Sequence, residues 1–470
     1  MRPQDMGPDE FRRFGNEIVE WIANYLDHTG DFPVYPAMKP GDLVDALPGS
    51  APDDGEPMER ILADFRDKVL PAVNHWNHPR FHAFFAVSAS APGILGEMLT
   101  AALNTNGMVW KASPANTELE LVVMSWLRQW VGLPESFFGM IHDTASTSTM
   151  HAIAAARCAA DPDARDKGAS PGLTLYASEF AHSSVEKGAM ALGVGRENVR
   201  KIPADSLFRM RPDALEAAIG EDRTAGKRPF CVVSTVGTTS FTSVDPVREV
   251  QRIAAREGLW HHVDGAYGGT AAILPELRWM LDGAEEADSL VVNPHKWLFT
   301  PVDLSAFYCR RPDVLRQAFS LIPEYLRMNE DPRAVNLMDY GVPLGRRFRA
   351  LKLWFVMRWF GRKKVEEIIR AHIAWTKELV AAIEADERFE LCAPAPLSLV
   401  CFRLKGGDEQ SRQLVDLVNE SGVAFLAGDF QRGRFHIRLS IGNVGTGRDD
   451  VFLVWERVRQ LASLVQEARV

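Results

Sequence analysis

Between Pro8 and Leu26 the apolar residues Phe11, Phe14, Ile18, Trp21, Ile22 and Tyr25 recur at three- and four-residue steps. That spacing predicts an amphipathic helix. The stretch from Phe32 to Pro57 then loses all periodicity and fills with proline, glycine and aspartate, so it cannot form a core of its own. A helix followed by an extended arm predicts a piece that packs on something else, either a second subunit or the chain's own body. From His75 to Phe85 the aromatics Trp76, Phe81, Phe84 and Phe85 interleave with His75, His78 and His82. A helix is predicted to open near Ser113, with Thr117 and Glu120 read as a capping box. Leu121, Met124 and Leu127 continue its period, and Gly132-Leu133-Pro134 closes it.

Beyond residue 139 short apolar runs alternate with helical patterns. Leu173–Tyr176, Pro229–Thr235, Leu259–Val263 and Leu290–Val292 read as strands, and Ala181–Leu192 and Val247–Glu257 as helices. The alternation predicts an α/β fold with a mostly parallel central sheet covered by helices. After Ser320 the pattern loosens. Tyr325 to Asp339 is polar, a candidate mobile loop. Two apolar helices, Leu351–Phe360 and Val365–Ile383, follow. Strands at Leu397–Leu404 and Arg434–Ile441 around a helix at Gln410–Ser421 predict a small α+β domain. The division expected is a helical N-terminal arm over 1–85, a large domain over 86–360 and a small C-terminal domain over 361–470.

Composition narrows the classes without choosing among them. The 470 residues carry a net charge of −9, with 46% hydrophobic and 24% charged residues. These are ordinary globular values. Mild acidity argues against nucleic acid as the main partner. No run approaches the roughly 18 apolar residues of a membrane span, and the N-terminus lacks a hydrophobic signal core. Cys158, Cys231, Cys309, Cys392 and Cys401 show no CxxC spacing, so they read as buried thiols of a cytoplasmic protein. The three histidines near residue 80 lack an HExxH-like frame; pocket lining or core is the reading, and no metal site is expected.

The chemistry gathers at predicted strand ends. In Asn293-Pro294-His295-Lys296-Trp297 a lysine stands among imidazole, indole and proline, after an apolar strand. Such surroundings lower an amine's pKa and make it a nucleophile toward aldehydes. Asp264 and Thr239 also fall just past predicted strand ends, and His182 starts a helix on that side. In parallel sheets functional groups collect at this edge. Asp143-Thr144-Ala145-Ser146-Thr147-Ser148-Thr149 is a hydroxyl-rich turn running into an alanine-rich helix, a ready anion cradle. An aldehyde, a basic ring nitrogen and a phosphate together satisfy this set, and pyridoxal 5'-phosphate carries all three. Lys296 would form the Schiff base, Asp264 would pair with the ring nitrogen and His182 would cover a ring face. Thr144, Ala145, Ser146, Thr239, Ala266, Asn293 and His295 would complete the cofactor site.

These motifs, with Ser113-Pro114-Ala115, Thr117-Glu118-Leu119-Glu120, Ala181-His182-Ser183-Ser184, Gly237-Thr238-Thr239-Ser240, His262-Val263-Asp264-Gly265-Ala266-Tyr267 and Pro343-Leu344-Gly345-Arg346-Arg347-Phe348, resemble the group II amino acid decarboxylases of the aromatic L-amino-acid decarboxylase family. The resemblance spans nearly the whole chain. It implies an aspartate-aminotransferase-like fold (fold type I), a homodimer with its active site near the interface, and loss of CO2 from an aromatic L-amino acid such as tryptophan, phenylalanine, tyrosine or dopa. It also implies that Tyr325 is the proton donor, which points to an amine product. The alternatives are an aromatic aldehyde synthase and a decarboxylase of a non-aromatic amino acid. Trp76, Phe84, Phe85, Val87, Trp110 and Gly345 are the expected substrate pocket. Phe84-Phe85-Ala86-Val87 departs from the family's frequent Tyr-Phe-Pro-Thr, which makes that wall more apolar.

Overall fold

The structure, a computed structural model, describes residues 5–321 and 333–467. Its centre is a sheet of seven strands: β1 (Phe138–His142), β2 (Leu173–Ser178), β3 (Val199–Ile202), β4 (Arg228–Thr235), β5 (Trp260–Asp264), β6 (Ser289–Val292) and β7 (Ser305–Cys309). They lie in the order β1-β7-β6-β5-β4-β2-β3. Pairing is parallel from β6 through β3, while β7 runs antiparallel to both its neighbours. The mostly parallel α/β sheet expected from the sequence is therefore present. β2, β5, β6 and β7 are buried along their whole length, as strands covered on both faces must be.

Side-chain alternation divides β2 and β4 between two cores. Leu175, Ala177, Cys231 and Val233 face one side with Ala152 and Ile153 of the helix Ala145–Ala160. Tyr176 and Val232 face the other with Val250 and Ile253 of the helix Val247–Glu257. The two-residue period of a strand requires this split. The register aligns the strand ends that matter: Thr235 lies opposite Asp264, and Asp264 opposite Val291. The turns after β4, β5 and β6 consequently open at one edge of the sheet.

A second sheet, β8 (Phe389–Leu391), β9 (Leu399–Leu404), β10 (Ala427–Gln431) and β11 (Arg434–Ser440), is antiparallel throughout, in the order β10-β11-β9-β8. The helix Ala350–Glu384 links the two bodies: Leu353, Met357, Val365 and Ile369 join the large core, and Leu379 and Ile383 join the core under the small sheet. The two helices expected in this region are one element broken at Gly361, which takes φ 63° and ψ 165°. Only glycine adopts such a backbone without steric cost.

Three local expectations need correction. The helix Pro114–Val131 has Ser113 at its N-cap position, without a side-chain cap bond, and starts on proline, so Thr117 and Glu120 lie inside it and form no capping box. Glu120 is buried and pairs instead with Arg346. The helix after His182 begins only at Ser184. β1, β3, β7, β8 and β10 are strands that the sequence pattern does not predict. At the N-terminus the helix Pro8–Asp27 buries only Phe14, leaving Phe11, Ile18 and Val19 exposed. The segment around residue 82 docks on the small sheet: the His82 amide donates to the Phe425 carbonyl, and the Ser440 amide to the His82 carbonyl. Among the described residues no helix is long and apolar enough to cross a membrane.

Candidate active site

β6 ends at Val292, and Asn293 caps a four-residue helix, Pro294–Trp297. Proline at the first helical position costs no hydrogen bond, because that N–H has no intrahelical partner anyway. The Asn293 amide donates to the Ala266 carbonyl at 3.1 Å, which ties the β6 turn to the β5 turn. Trp297, Leu298 and Phe299 are wholly buried. They anchor the backbone just after a lysine whose side chain enters a cavity of about 210 Å3. Asn293, His295 and Lys296 line it from β6, and Asp264, Ala266 and Tyr267 from β5. Thr235, Gly237 and Thr239 come from β4; Thr144, Ala145 and Ser146 from the helix start; His182 and Phe85 complete it.

Two glycines let the β4 and β5 turns meet. Gly237 has φ +87°, and a Cβ there would lie 3.0 Å from the Gly268 nitrogen. A Cβ on Gly268 would lie 2.6 Å from the Val236 carbonyl oxygen. A side chain at either position would force the two turns apart.

Burial pulls the Lys296 amine below its usual range, and the nearby Asp264 carboxylate opposes that shift without cancelling it. Asp264 is itself buried and accepts the Ala266 amide at 3.1 Å. His182 is pulled down first by burial, against the pull of Asp264 and with the repulsion of Lys296. Its Nδ1 accepts the Ser184 amide at 3.2 Å, so the neutral ring carries its proton on Nε2. His295 is held near pH 3, chiefly by burial and then by the neighbouring Lys296 charge. The Leu304 amide donates to its Nδ1 at 2.9 Å, which again leaves the proton on Nε2. Both imidazoles are neutral donors at neutral pH. Phe85 presents its ring 5.4 Å from the lysine Nζ.

The helix Ala145–Ala160 starts from Thr144 in extended conformation, with no side-chain cap. The Ser148 amide is the first to find an intrahelical acceptor, the Thr144 carbonyl. The first-turn amides ahead of it, at Ala145 and Ser146, border the cavity with the positive end of the helix dipole. Asn293 Oδ1 and Thr235 Oγ1 are buried at the cavity without a protein partner among the described residues. A lysine of lowered pKa, a buried carboxylate and an uncapped helix N-terminus thus converge on one space. The donor set suits a ligand that carries an aldehyde, a protonatable ring nitrogen and a phosphate.

All ten residues expected at the cofactor border this cavity. Of the six expected at the substrate, Phe85 does. Trp76 and Phe84 are partly exposed, and their rings stack on one another at 5.7 Å. Trp110 donates its indole N–H to Glu118, and Gly345 lies beside Asn106. These four and Val87 lie outside the cavity of the single chain. Tyr325 lies outside the described residues. Tyr267, Thr235 and Gly237 are additions. Tyr267 and Gly237 sit inside quoted motifs, so their position was visible; Thr235 gave no signal beyond ending a strand.

Residues 40–405 match the family model described as the pyridoxal-dependent decarboxylase conserved domain. The aromatic-L-amino-acid decarboxylase of Bos taurus is 41% identical, with 99% of this chain and 98% of that protein covered. The phenylacetaldehyde synthase of Arabidopsis thaliana is 38% identical, over 98% of this chain and 97% of that one. The solved structure of Oryza sativa TDC with PLP and tryptamine superimposes with a TM-score of 0.95 at 36% identity, covering 98% of this chain and 99% of that chain. Fold, cavity and full-length similarity agree, and the chain belongs to the pyridoxal-dependent decarboxylase family, carboxy-lyases that work with pyridoxal phosphate.

Proposed function

We propose that the protein removes the α-carboxylate of an aromatic L-amino acid, releasing CO2 and the amine, with pyridoxal phosphate held at Lys296. The observation that carries this reading is the convergence of Lys296, Asp264 and the Ala145–Ser146 helix start on one cavity. The cofactor supplies an aldehyde that captures the substrate amine and a ring that takes up the electron pair left when CO2 departs. Lys296, its amine lowered by burial, would hold the cofactor aldehyde. Asp264 would pair with the protonated ring nitrogen, and the Ala145–Ser146 helix start would hold the phosphate. His182 and His295 stay neutral and offer Nε2–H groups for orienting the substrate without adding charge. The Phe85 and Tyr267 rings exclude water beside the lysine, which favours loss of a charged carboxylate. The names of the Bos taurus relative and of the tryptamine-bound Oryza sativa structure support an aromatic side chain.

The test is a panel of the proteinogenic amino acids with the cofactor-loaded enzyme, reading CO2, amine and peroxide together. Equal amounts of CO2 and amine from tryptophan, phenylalanine, tyrosine or dopa are expected. Turnover confined to a non-aromatic amino acid would overturn the substrate assignment.

The second reading is aldehyde synthesis, favoured by the likeness to phenylacetaldehyde synthase. It predicts peroxide and ammonia alongside CO2. On the amine-forming reading Tyr325 donates the proton that makes the amine, so Tyr325→Phe should divert product to aldehyde. An unchanged amine yield would remove Tyr325 from that role. A cytoplasmic homodimer completes the proposal. The exposed apolar face of the helix Pro8–Asp27 supports self-association, and light scattering should return twice the 52.3 kDa chain mass.

A further inference from the structure

Trp297 follows Lys296 directly and is wholly buried. Its indole is held on its face and on its edge. On the face it lies parallel to Tyr267, with centroids 4.9 Å apart and planes within 4°. Tyr267 stacks in turn on Phe85 at 3.7 Å and 8°. On the edge, the indole Nε1–H donates to Nδ1 of His372 at 3.0 Å. The two ring planes are parallel within 3°, and the N–H···N distance is that of an ordinary hydrogen bond. This bond settles the tautomer: Nδ1 accepts, so the proton sits on Nε2.

His372 lies in the helix Ala350–Glu384, is wholly buried and does not line the cavity. Its contacts reach the chemistry through residues that follow Lys296: Trp297, and Phe299, whose ring it meets edge-on at 6.4 Å. The short helix Pro294–Trp297 is held near its start by the Leu304 amide on His295 Nδ1 and the Thr300 amide on the Pro294 carbonyl, and at its last residue by the indole bond. It is too brief to propagate its own hydrogen bonds, and Lys296 departs from it one residue before the indole. A rotation of Trp297 would turn the lysine away from Asp264 and from the Phe85 ring that it faces at 5.4 Å.

We propose that His372 is a positioning residue for Lys296: by accepting the Trp297 indole N–H, it fixes the direction in which the lysine leaves the backbone. The inference rests on the reading of Lys296 as the cofactor lysine.

Two substitutions separate positioning from plain core stability. His372→Phe keeps a flat ring and deletes the acceptor; His372→Asn places Oδ1 where Nδ1 stood. In the cofactor-loaded enzyme, His372→Phe should lower kcat about tenfold or more, because a small misplacement of a reacting group is enough for that loss. KM should stay within about twofold, since substrate contacts are untouched. The pH midpoint of the Lys296-linked absorbance should also move, and His372→Asn should return both kcat and midpoint toward native. Trp297→Phe should give the same signature and add nothing to His372→Phe in the double variant; it carries the test if His372→Phe does not fold. Native kcat and native midpoint in His372→Phe, with only a lower Tm, would overturn the inference, as would failure of His372→Asn to recover them. A native protein without any Lys296-linked band would instead refute the site reading itself.

Discussion

Lys296 shows how a single side chain takes its reactivity from its surroundings. Its amine is lowered by burial and partly restored by Asp264. Asp264→Asn removes the restoring charge, so the amine of the cofactor-free protein should titrate at still lower pH. The check is the pH dependence of its reaction with a phosphate-free pyridoxal analogue: the midpoint should fall relative to native, while turnover of the loaded enzyme drops. Lys296→Ala should abolish turnover altogether with the fold intact by circular dichroism. The place of Lys296 and Asp264 in the cavity was legible because their types are chemically improbable where they stand, a lysine and a carboxylate each closing or following a buried strand. Tyr267 and Trp297 were quoted as motif letters, but their stacking was not legible. Ring contacts join residues from different strand turns, and local spacing carries no trace of them.

At the scale of elements, the pairing of Glu120 with Arg346 holds the helix Pro114–Val131 to the turn before the helix Ala350–Glu384. Arg346 is buried and donates to Glu120 and, at 3.1 Å, to the Ile141 carbonyl of β1. Glu120 also accepts the Ile141 amide at 2.7 Å. Arg346→Met would leave that buried carboxylate without its hydrogen-bonded cation and should cost about 3–5 kcal/mol. Urea unfolding would measure it, and Glu120→Gln in the same chain should recover part of the loss. The sequence presented both residues as motif letters far apart, and helix rules misread Glu120 as half of a capping box. Its three-residue offset from Thr117 mimics a cap; only tertiary burial distinguishes the two. β7 was missed for a related reason: Ser305–Cys309 is a short apolar run with neither alternation nor a turn signal, equally suited to a buried helix. The kink at Gly361 fell between two expected helices, because a left-handed glycine interrupts the pattern even where the chain continues as one element.

For the molecule as a whole, pH acts through its buried imidazoles. His82, His151, His261, His262, His295 and His372 are all held near 3 or 4, mainly by burial. Each folded pKa lies below the unfolded value near 6.5. Above that value the rings are neutral in both states and their contribution is fully present. As pH falls toward 4 the unfolded chain takes up protons that the folded chain refuses, and stability is lost at about 1.4 kcal/mol per pH unit for each ring. Asp245 works oppositely, since burial raises it to about 7, and burial raises Glu120 and Asp288 as well, but three carboxylates are outweighed by six imidazoles. The urea midpoint should therefore change little between pH 8 and 7 and fall steeply by pH 5.5; a midpoint that held or rose at pH 5.5 would show that these rings are not buried as described. The fold class was legible at this scale because strand and helix signals alternate. The positions of Trp76, Phe84, Val87, Trp110 and Gly345 outside the single-chain cavity were not, because aromatic content does not reveal which way a surface segment faces.

The central claim is a cofactor bound covalently at one lysine, and reduction by borohydride followed by peptide mapping tests it most directly. The account predicts a single pyridoxyl label on the peptide containing Asn293-Pro294-His295-Lys296-Trp297. A label on another lysine, or a reduced protein with none, would contradict it.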